Sequence, residues 1–305
     1  MIRFITRRVI EGCIALLGVA LVVFVLARTG GSPVDVMLPI EATAEQRAQA
    51  TARLGLDKPL YEQFGIYLLN VAQGDFGTSI RTRLPAIDLV TSRLANSLLL
   101  ALAALTIAVA IGVPLGVIAA MRRNGPWDRF ASLFALLGLS LPNFFSGILA
   151  IWIFAVILGV LPAQGAASWQ HYVLPAATMG WFTSAGVTRL VRSGMLEVLG
   201  AEYIKLARAE GLPERSVVMR HAFRNAVLPV VTFVGMSYGL LIGAAVATEV
   251  VFGFPGLARL AYEAVQWRDF PVLQAVVLVW ATIIIGVNFA VDLLYGVLDP
   301  RVRLS

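Results

Sequence analysis

The chain is poor in the residues that most enzymes need: among 305 residues there are two histidines, His171 and His221, and one cysteine, Cys13. With one cysteine no intramolecular disulfide can form and the redox compartment cannot be read. Cys13 falls in an apolar run, so the expectation is a small buried apolar side chain. No Cys/His cluster has metal-ligand spacing. No Gly-Lys dipeptide occurs, which removes the phosphate-cradling P-loop. No catalytic, cofactor-binding or metal-ligating set is therefore expected, and the chain is not expected to hydrolyse ATP unaided. Charge is scarce as well: 14% of the residues are charged against 59% hydrophobic, with a mean hydropathy of +0.82. That is too little charge to cover a soluble globule of this size.

What is present in quantity is apolar sequence. Asp, Glu, Lys and Arg are missing from Gly12–Ala27, Leu94–Met121, Phe130–Thr188, Asn225–Thr248 and Phe270–Val291, each close to or beyond the roughly 20 residues that cross a bilayer. Phe130–Thr188 is too long for one span, and "GVLPAQGAASWQHY" interrupts it with turn-forming residues. Splitting it there predicts an all-α polytopic membrane protein with six transmembrane helices. The N-terminal "MIRFITRRVIEGCIALLGVALVVFVLA" has the layout of a secretory signal, but its apolar run is long and Arg28 follows at once. A retained first span is expected.

Orientation follows from the arginines. Arg3, Arg7 and Arg8, then Arg122, Arg123 and Arg129, then the group from Arg189 to Arg224, then Arg301 and Arg303 fall in the inside segments. The two short outside loops hold only Arg259 and Arg268. Both termini are thus expected in the cytoplasm, with the histidines on opposite sides of the membrane. The net charge of +6 follows topology rather than one patch, so no nucleic-acid partner is implied. The resulting division is 1–28 as the N-terminus and first helix, 29–93 as an external segment, 94–298 as a five-helix core, and 299–305 as a cytoplasmic tail.

Within the spans, Asn288 and Asp292 of "GVNFAVDLLYG" are four apart and share one helical face. They read either as helix-helix or interfacial groups or as part of a transport pathway. Glu249, at the outer end of the fifth span, carries the same two readings. In the external segment, "ATAEQRAQATARLG" reads as a short polar helix, either packing over the outer mouth or contacting a partner.

The polar exception is "EYIKLARAEGLPERSVVMRHAFRNAVLP", Glu202 to Pro229. Inserting it into lipid would bury Lys205, Arg208, Arg215, Arg220 and Arg224 at roughly 2.5–3.5 kcal/mol each. It has helix grammar instead. Tyr203, Leu206 and Ala207 fall on one side, with Glu202, Lys205 and Arg208 on another. Gly211 supplies a stop, Pro213 fits the first turn of a second helix, and Glu214 follows at its positive end. Two short helices are expected to meet at a Gly-Leu-Pro corner. Helices this short need support, either from the inner ends of the chain's own spans or from a cytoplasmic partner.

"ARAEG" followed by "RHAFRNAVLPVVT" resembles the cytoplasmic coupling loop of ABC importer permeases, in the form found in the dipeptide/oligopeptide/nickel branch. The resemblance runs along nearly the whole chain, through "LGLDKPLYEQF", "GDFGTS", "LSLPNF", "EVVFGFPGLARL", "RDFPVLQA" and "DPRVR". Within the branch, "QGDFG" and "SWQHYVLP" are similar to glutathione-importer permeases. Lys205 stands where the general loop pattern begins with Glu, and of its E-A-A-x-x-x-G core only Ala207 and Gly211 match. The resemblance implies a type I ABC importer transmembrane domain in a bacterial inner membrane. It also implies a second homologous permease, two cytoplasmic ATPase subunits and an external solute-binding protein as partners, and a peptide or peptide-like solute. The coupling loop would be about 195–224, with Glu202, Lys205, Ala207, Arg208, Ala209, Gly211 and Arg220 as its residues. A permease of the same branch for nickel or another solute, and a membrane channel or scaffold that moves nothing against a gradient, are the alternatives.

Overall fold

The computed structural model describes residues 2–29, 34, 42–53 and 55–298. Described residues in regular structure are helical, save for one isolated bridge between Thr78 and Pro85. The helices are α1 (Ile2–Thr29), α2 (Ala44–Arg53), α3 (Leu60–Ala72), α4 (Ala86–Met121), α5 (Pro126–Ser140) and α6 (Asn143–Ile157). They continue with α7 (Gln170–Leu199), α8 (Glu202–Ala209), α9 (Glu214–Ala226), α10 (Leu228–Ala244), α11 (Val246–Val251), α12 (Leu257–Gln266) and α13 (Phe270–Leu298). The closing "DPRVR" lies outside the described residues.

Three helical segments, Ile5–Thr29, Ala86–Met121 and Phe270–Leu293, are long and apolar enough to cross a membrane, and up to five spans result if each bent pair counts as one. The bends correct the sequence reading. The chain does leave helix at 158–169, overlapping the expected interruption, but Phe130–Thr188 is broken a second time. At "LSLPNF" Pro142 begins α6, and Leu141 before it is extended (φ −83°, ψ 127°), so α5 and α6 meet at 108°. Proline disfavours helix for its predecessor, which is why the break falls there. The expected fifth span is likewise interrupted between α10 and α11, with a 53° bend between α9 and α10. Cys13 is exposed on the surface of α1 rather than buried.

The chain forms two compact units, one from Met1–Ser97 with Pro255–Phe289, the other from Leu98–Phe254 with Ala290–Ser305. In the first, Ala86, Val90, Leu257, Leu260, Ala261, Val272 and Val276 form a buried cluster. Ser97 Oγ accepts from Leu257 N at 2.7 Å, satisfying one of the orphan donors at the start of α12. Asp269, buried, accepts from Ser79 Oγ at 2.5 Å and from Ile80 N at 3.1 Å, which pins the "GTSIRT" turn to the start of α13. The polar helix expected from "ATAEQRAQATARLG" is α2. Thr43 Oγ1 accepts from Gln46 N at 3.3 Å and Gln46 Oε1 accepts from Thr43 N at 3.0 Å, a reciprocal capping box.

In the second unit the seam between α4 and α7 is built on small residues. A Cβ on Gly116 would stand 2.6 Å from Val191 Cβ and 2.8 Å from the Thr188 carbonyl oxygen, and one on Gly112 2.8 Å from the Ser184 carbonyl oxygen. Missing side chains let the two backbones touch, as in small-x-x-x-small packing. Gly116→Val should lower stability by about 2 kcal/mol, because backbone oxygens cannot rotate away as a side chain can. The check is the midpoint of thermal unfolding in detergent; an unchanged midpoint would mean the helices are not in contact there.

Candidate functional site

The polar insert folds as a helix-corner-helix. In α8 Ile204 (0% exposed) and Ala207 face inward onto Val217, Val218 and Ala222 of α9 and Val191 and Met195 of α7. This corrects the expected apolar face: Ala207 is buried, but Tyr203 and Leu206 are exposed, Leu206 at 60%. Spacing alone placed the stripe about one residue off, since two apolar sets compete in this short helix. The support that such a helix needs comes from α7 and α9.

The corner is closed by backbone chemistry. Gly211 N donates to the Arg208 carbonyl at 3.0 Å and Leu212 N to the Ala207 carbonyl at 3.2 Å, with Gly211 at φ +82°. That is the Schellman pattern with glycine in the left-handed position. Pro213 sits one residue earlier than expected, as the N-cap of α9, while Glu214 occupies the first turn. Arg208 reaches across with two bonds to Glu214, at 2.7 Å and 3.1 Å, and ties the helices together. Glu202 and Lys205 pair at 2.7 Å on the exposed side, where such a bridge contributes little stability. Ala209 and Arg220 are exposed. A π-helical stretch, Val217–Ala222, widens α9 just behind the corner. The outer surface of the corner thus leaves Tyr203, Leu206, Leu212 and Met219 exposed, with the Tyr203 hydroxyl accepting from Asn225 Nδ2 at 2.8 Å.

Against the same unit lies a cavity of about 780 Å³ between α5, α7 and Phe233 of α10. Its wall is mostly apolar, with Phe182, Leu136 and Leu139, and carries Arg189, Arg192, Ser132 and Thr188. Arg192 makes two bonds to the buried Asp128, Nε to Oδ1 at 2.6 Å and Nη2 to Oδ2 at 3.0 Å. Asp128 Oδ2 also accepts from Asn124 N at 2.9 Å, where Asn124 turns the chain at φ +63°. The sequence reading assigned no role to this pair. The signal available was a lone Asp in the first turn of an apolar helix, and its partner lies on another helix.

The remaining candidates are not drawn together with the corner. Glu249 is fully buried in α11, close in sequence to the buried Phe252 and Phe254. On α13, Asn288 is exposed and Asp292 partly buried.

A unit of broken and continuous apolar helices, carrying a supported helix corner with an apolar outer surface, is the architecture of an ABC importer transmembrane subunit. Residues 112–304 match the family of binding-protein-dependent transport system inner membrane components, and residues 1–104 match the N-terminal family of the same membrane components. The chain belongs to this family of ABC importer permeases. It is 40% identical over 304 residues, 99% of either chain, to the glutathione transport system permease protein GsiC of Escherichia coli K12, and equally to that of Salmonella typhimurium LT2. Among solved structures it is similar to the inward-facing MetNI methionine ABC transporter, with TM-score 0.57 and 17% identity over 69% of this chain and 96% of the other. It is also similar to an amino acid ABC transporter with histidines, with TM-score 0.54 and 18% identity over 68% and 93%. These two likenesses concern the fold.

Proposed function

We propose that this permease, paired with a second homologous permease, carries glutathione or a similar small peptide across a bacterial inner membrane. Solute arrives from an external binding protein, and two cytoplasmic ATPase subunits supply the energy. The observation that carries the solute class is the 40% identity, over 99% of both chains, to a glutathione transport permease. The chain itself is proposed to be no ATPase, as expected where no P-loop exists. The fold is assigned six spans, namely α1, α4, the bent pair α5 and α6, α7, α10 with α11, and α13, with both termini inside and 29–93 outside.

In this reading the corner formed by Glu202, Lys205, Ala207, Arg208, Ala209, Gly211 and Arg220 docks the ATPases. Its exposed Tyr203, Leu206 and Met219 offer the apolar contact, and the Arg208–Glu214 clasp keeps the corner rigid enough to transmit a push. The cavity lined by Arg189 forms this chain's share of the solute path, where an arginine in a mostly apolar wall favours a carboxylate-bearing solute. Glu249, Asn288 and Asp292 belong to the interface with the second permease or to the path.

The test is uptake of labelled glutathione by cells whose own importers are deleted and which carry this permease with its neighbouring transport genes. Glutathione or dipeptide uptake that requires ATPase activity is expected. Uptake of nickel with none of glutathione or dipeptide would overturn the solute class. Reporter fusions at Arg123, read as cytoplasmic, and at Gly165, read as external, check the topology in the same cells, and a reversed pattern at either position would sink it.

A further inference from the structure

Three of the buried side-chain atoms that lack a hydrogen-bond partner belong to residues of one cavity of the first unit: Arg28 Nε, Gln63 Oε1 and Tyr67 Oη. Buried polar groups are almost always satisfied, so their convergence in one pocket of about 480 Å³ points to a missing occupant. We propose that this pocket binds a single membrane phospholipid by a zwitterionic phosphoethanolamine headgroup, independently of which solute the permease carries.

The chemistry of the atoms selects the headgroup. Gln63 is nine-tenths buried, and its amide nitrogen donates to the carbonyls of Leu56 at 3.2 Å and Lys58 at 2.7 Å. Those two bonds fix which way the amide points, so the oxygen is the atom left over, and it needs a donor. The Asp75 carboxylate lines the same pocket and adds negative charge. Arg28 Nε and the Tyr67 hydroxyl need an acceptor. Both side chains pack on one ring: the Arg28 Cζ is 5.1 Å from the Phe24 centroid and the Tyr67 ring 5.6 Å from it. Burial pushes the Tyr67 hydroxyl up to about 12, so it stays protonated and donates. An acceptor-rich phosphate meets Arg28 and Tyr67, and an ammonium meets Gln63 and Asp75.

The position selects a lipid over a free zwitterion. The pocket opens at the C-terminal end of α1, walled by Ile66, Phe76, Phe270 and Pro271, and the last turns of α1 leave Val22, Val25 and Leu26 exposed. A headgroup held at Arg28 lays its acyl chains along that apolar face, a contact that a soluble zwitterion cannot make.

The full chain, purified in mild detergent, should carry one phosphatidylethanolamine through the activation that strips loosely held lipid in native mass spectrometry. Tyr67→Phe and Arg28→Met should each lower its retention at least about tenfold, and Arg122→Met, far along the chain from the pocket, should not. Tyr67→Phe removes only a hydroxyl, so the delipidated protein should unfold at the same temperature as the parent or higher, which separates loss of lipid from misfolding. Absence of retained lipid, or full retention in both pocket variants, would overturn the proposal. So would retention of phosphatidylglycerol in its place, since that headgroup lacks the ammonium. Release of the lipid by glutathione or a dipeptide would assign the pocket to solute and overturn it too.

Discussion

Gly211→Val is expected to abolish solute uptake while the protein still reaches the membrane at normal abundance. Gly211 sits at φ +82°, and a Cβ built on it would meet nothing within 4 Å. A Cβ therefore meets no neighbour within this chain, and the backbone angle is the source of the cost inside the corner. For an L-residue the left-handed conformation costs roughly 1–2 kcal/mol, and a β-branched side chain makes it worse. The corner relieves that cost by giving up the left-handed turn, which breaks the Leu212-to-Ala207 bond and rotates Arg208 away from Glu214. Asparagine tolerates this angle far better, so Gly211→Asn should retain most uptake. The measurements are uptake, co-purification of the ATPase subunits and membrane abundance for both variants. Wild-type uptake with normal ATPase association in Gly211→Val would mean that the corner does not couple.

Arg192→Met should be the most destabilising single change in the second unit. The Asp128 side chain is 6% exposed and Arg192 is 32% exposed. Removing the guanidinium leaves a buried carboxylate with the Asn124 N–H as its remaining hydrogen-bond partner. Breaking a buried pair from one side costs about 3–5 kcal/mol, and the low end applies because water reaches the outer part of Arg192. Methionine keeps the apolar stem, so lost packing is small by comparison. The double variant Asp128→Asn/Arg192→Met should regain most of the loss, because a neutral amide no longer needs a countercharge. Thermal unfolding midpoints in detergent decide it: a single variant as stable as the parent, or a double variant no better than the single, would refute the role of the pair.

Much of the corner was legible beforehand because its determinants are local. A glycine two positions past an eight-residue helix, with proline two positions later, specifies a left-handed stop and a fresh start. The same holds for α2, whose Thr43 and Gln46 cap each other within one turn. The face of α8 was less legible. Tyr203 and Ile204 are neighbours, and which of them turns inward depends on where α7 and α9 stand.

Composition and local pattern alone determined that this chain is a helical membrane protein, that its polar insert is a pair of short helices, and that no Gly-Lys dipeptide, hence no P-loop, occurs in it. These follow from transfer free energies and backbone preferences, which act on each residue or on near neighbours. Only the tertiary structure decided that Asp128 meets Arg192, that Gly116 lies on Val191, and that Arg28, Gln63 and Tyr67 open into one pocket. Such pairings join residues far apart in sequence. They depend on how helices bent at Pro142 and between α9 and α10 pack, and that is set by the shapes of many side chains at once.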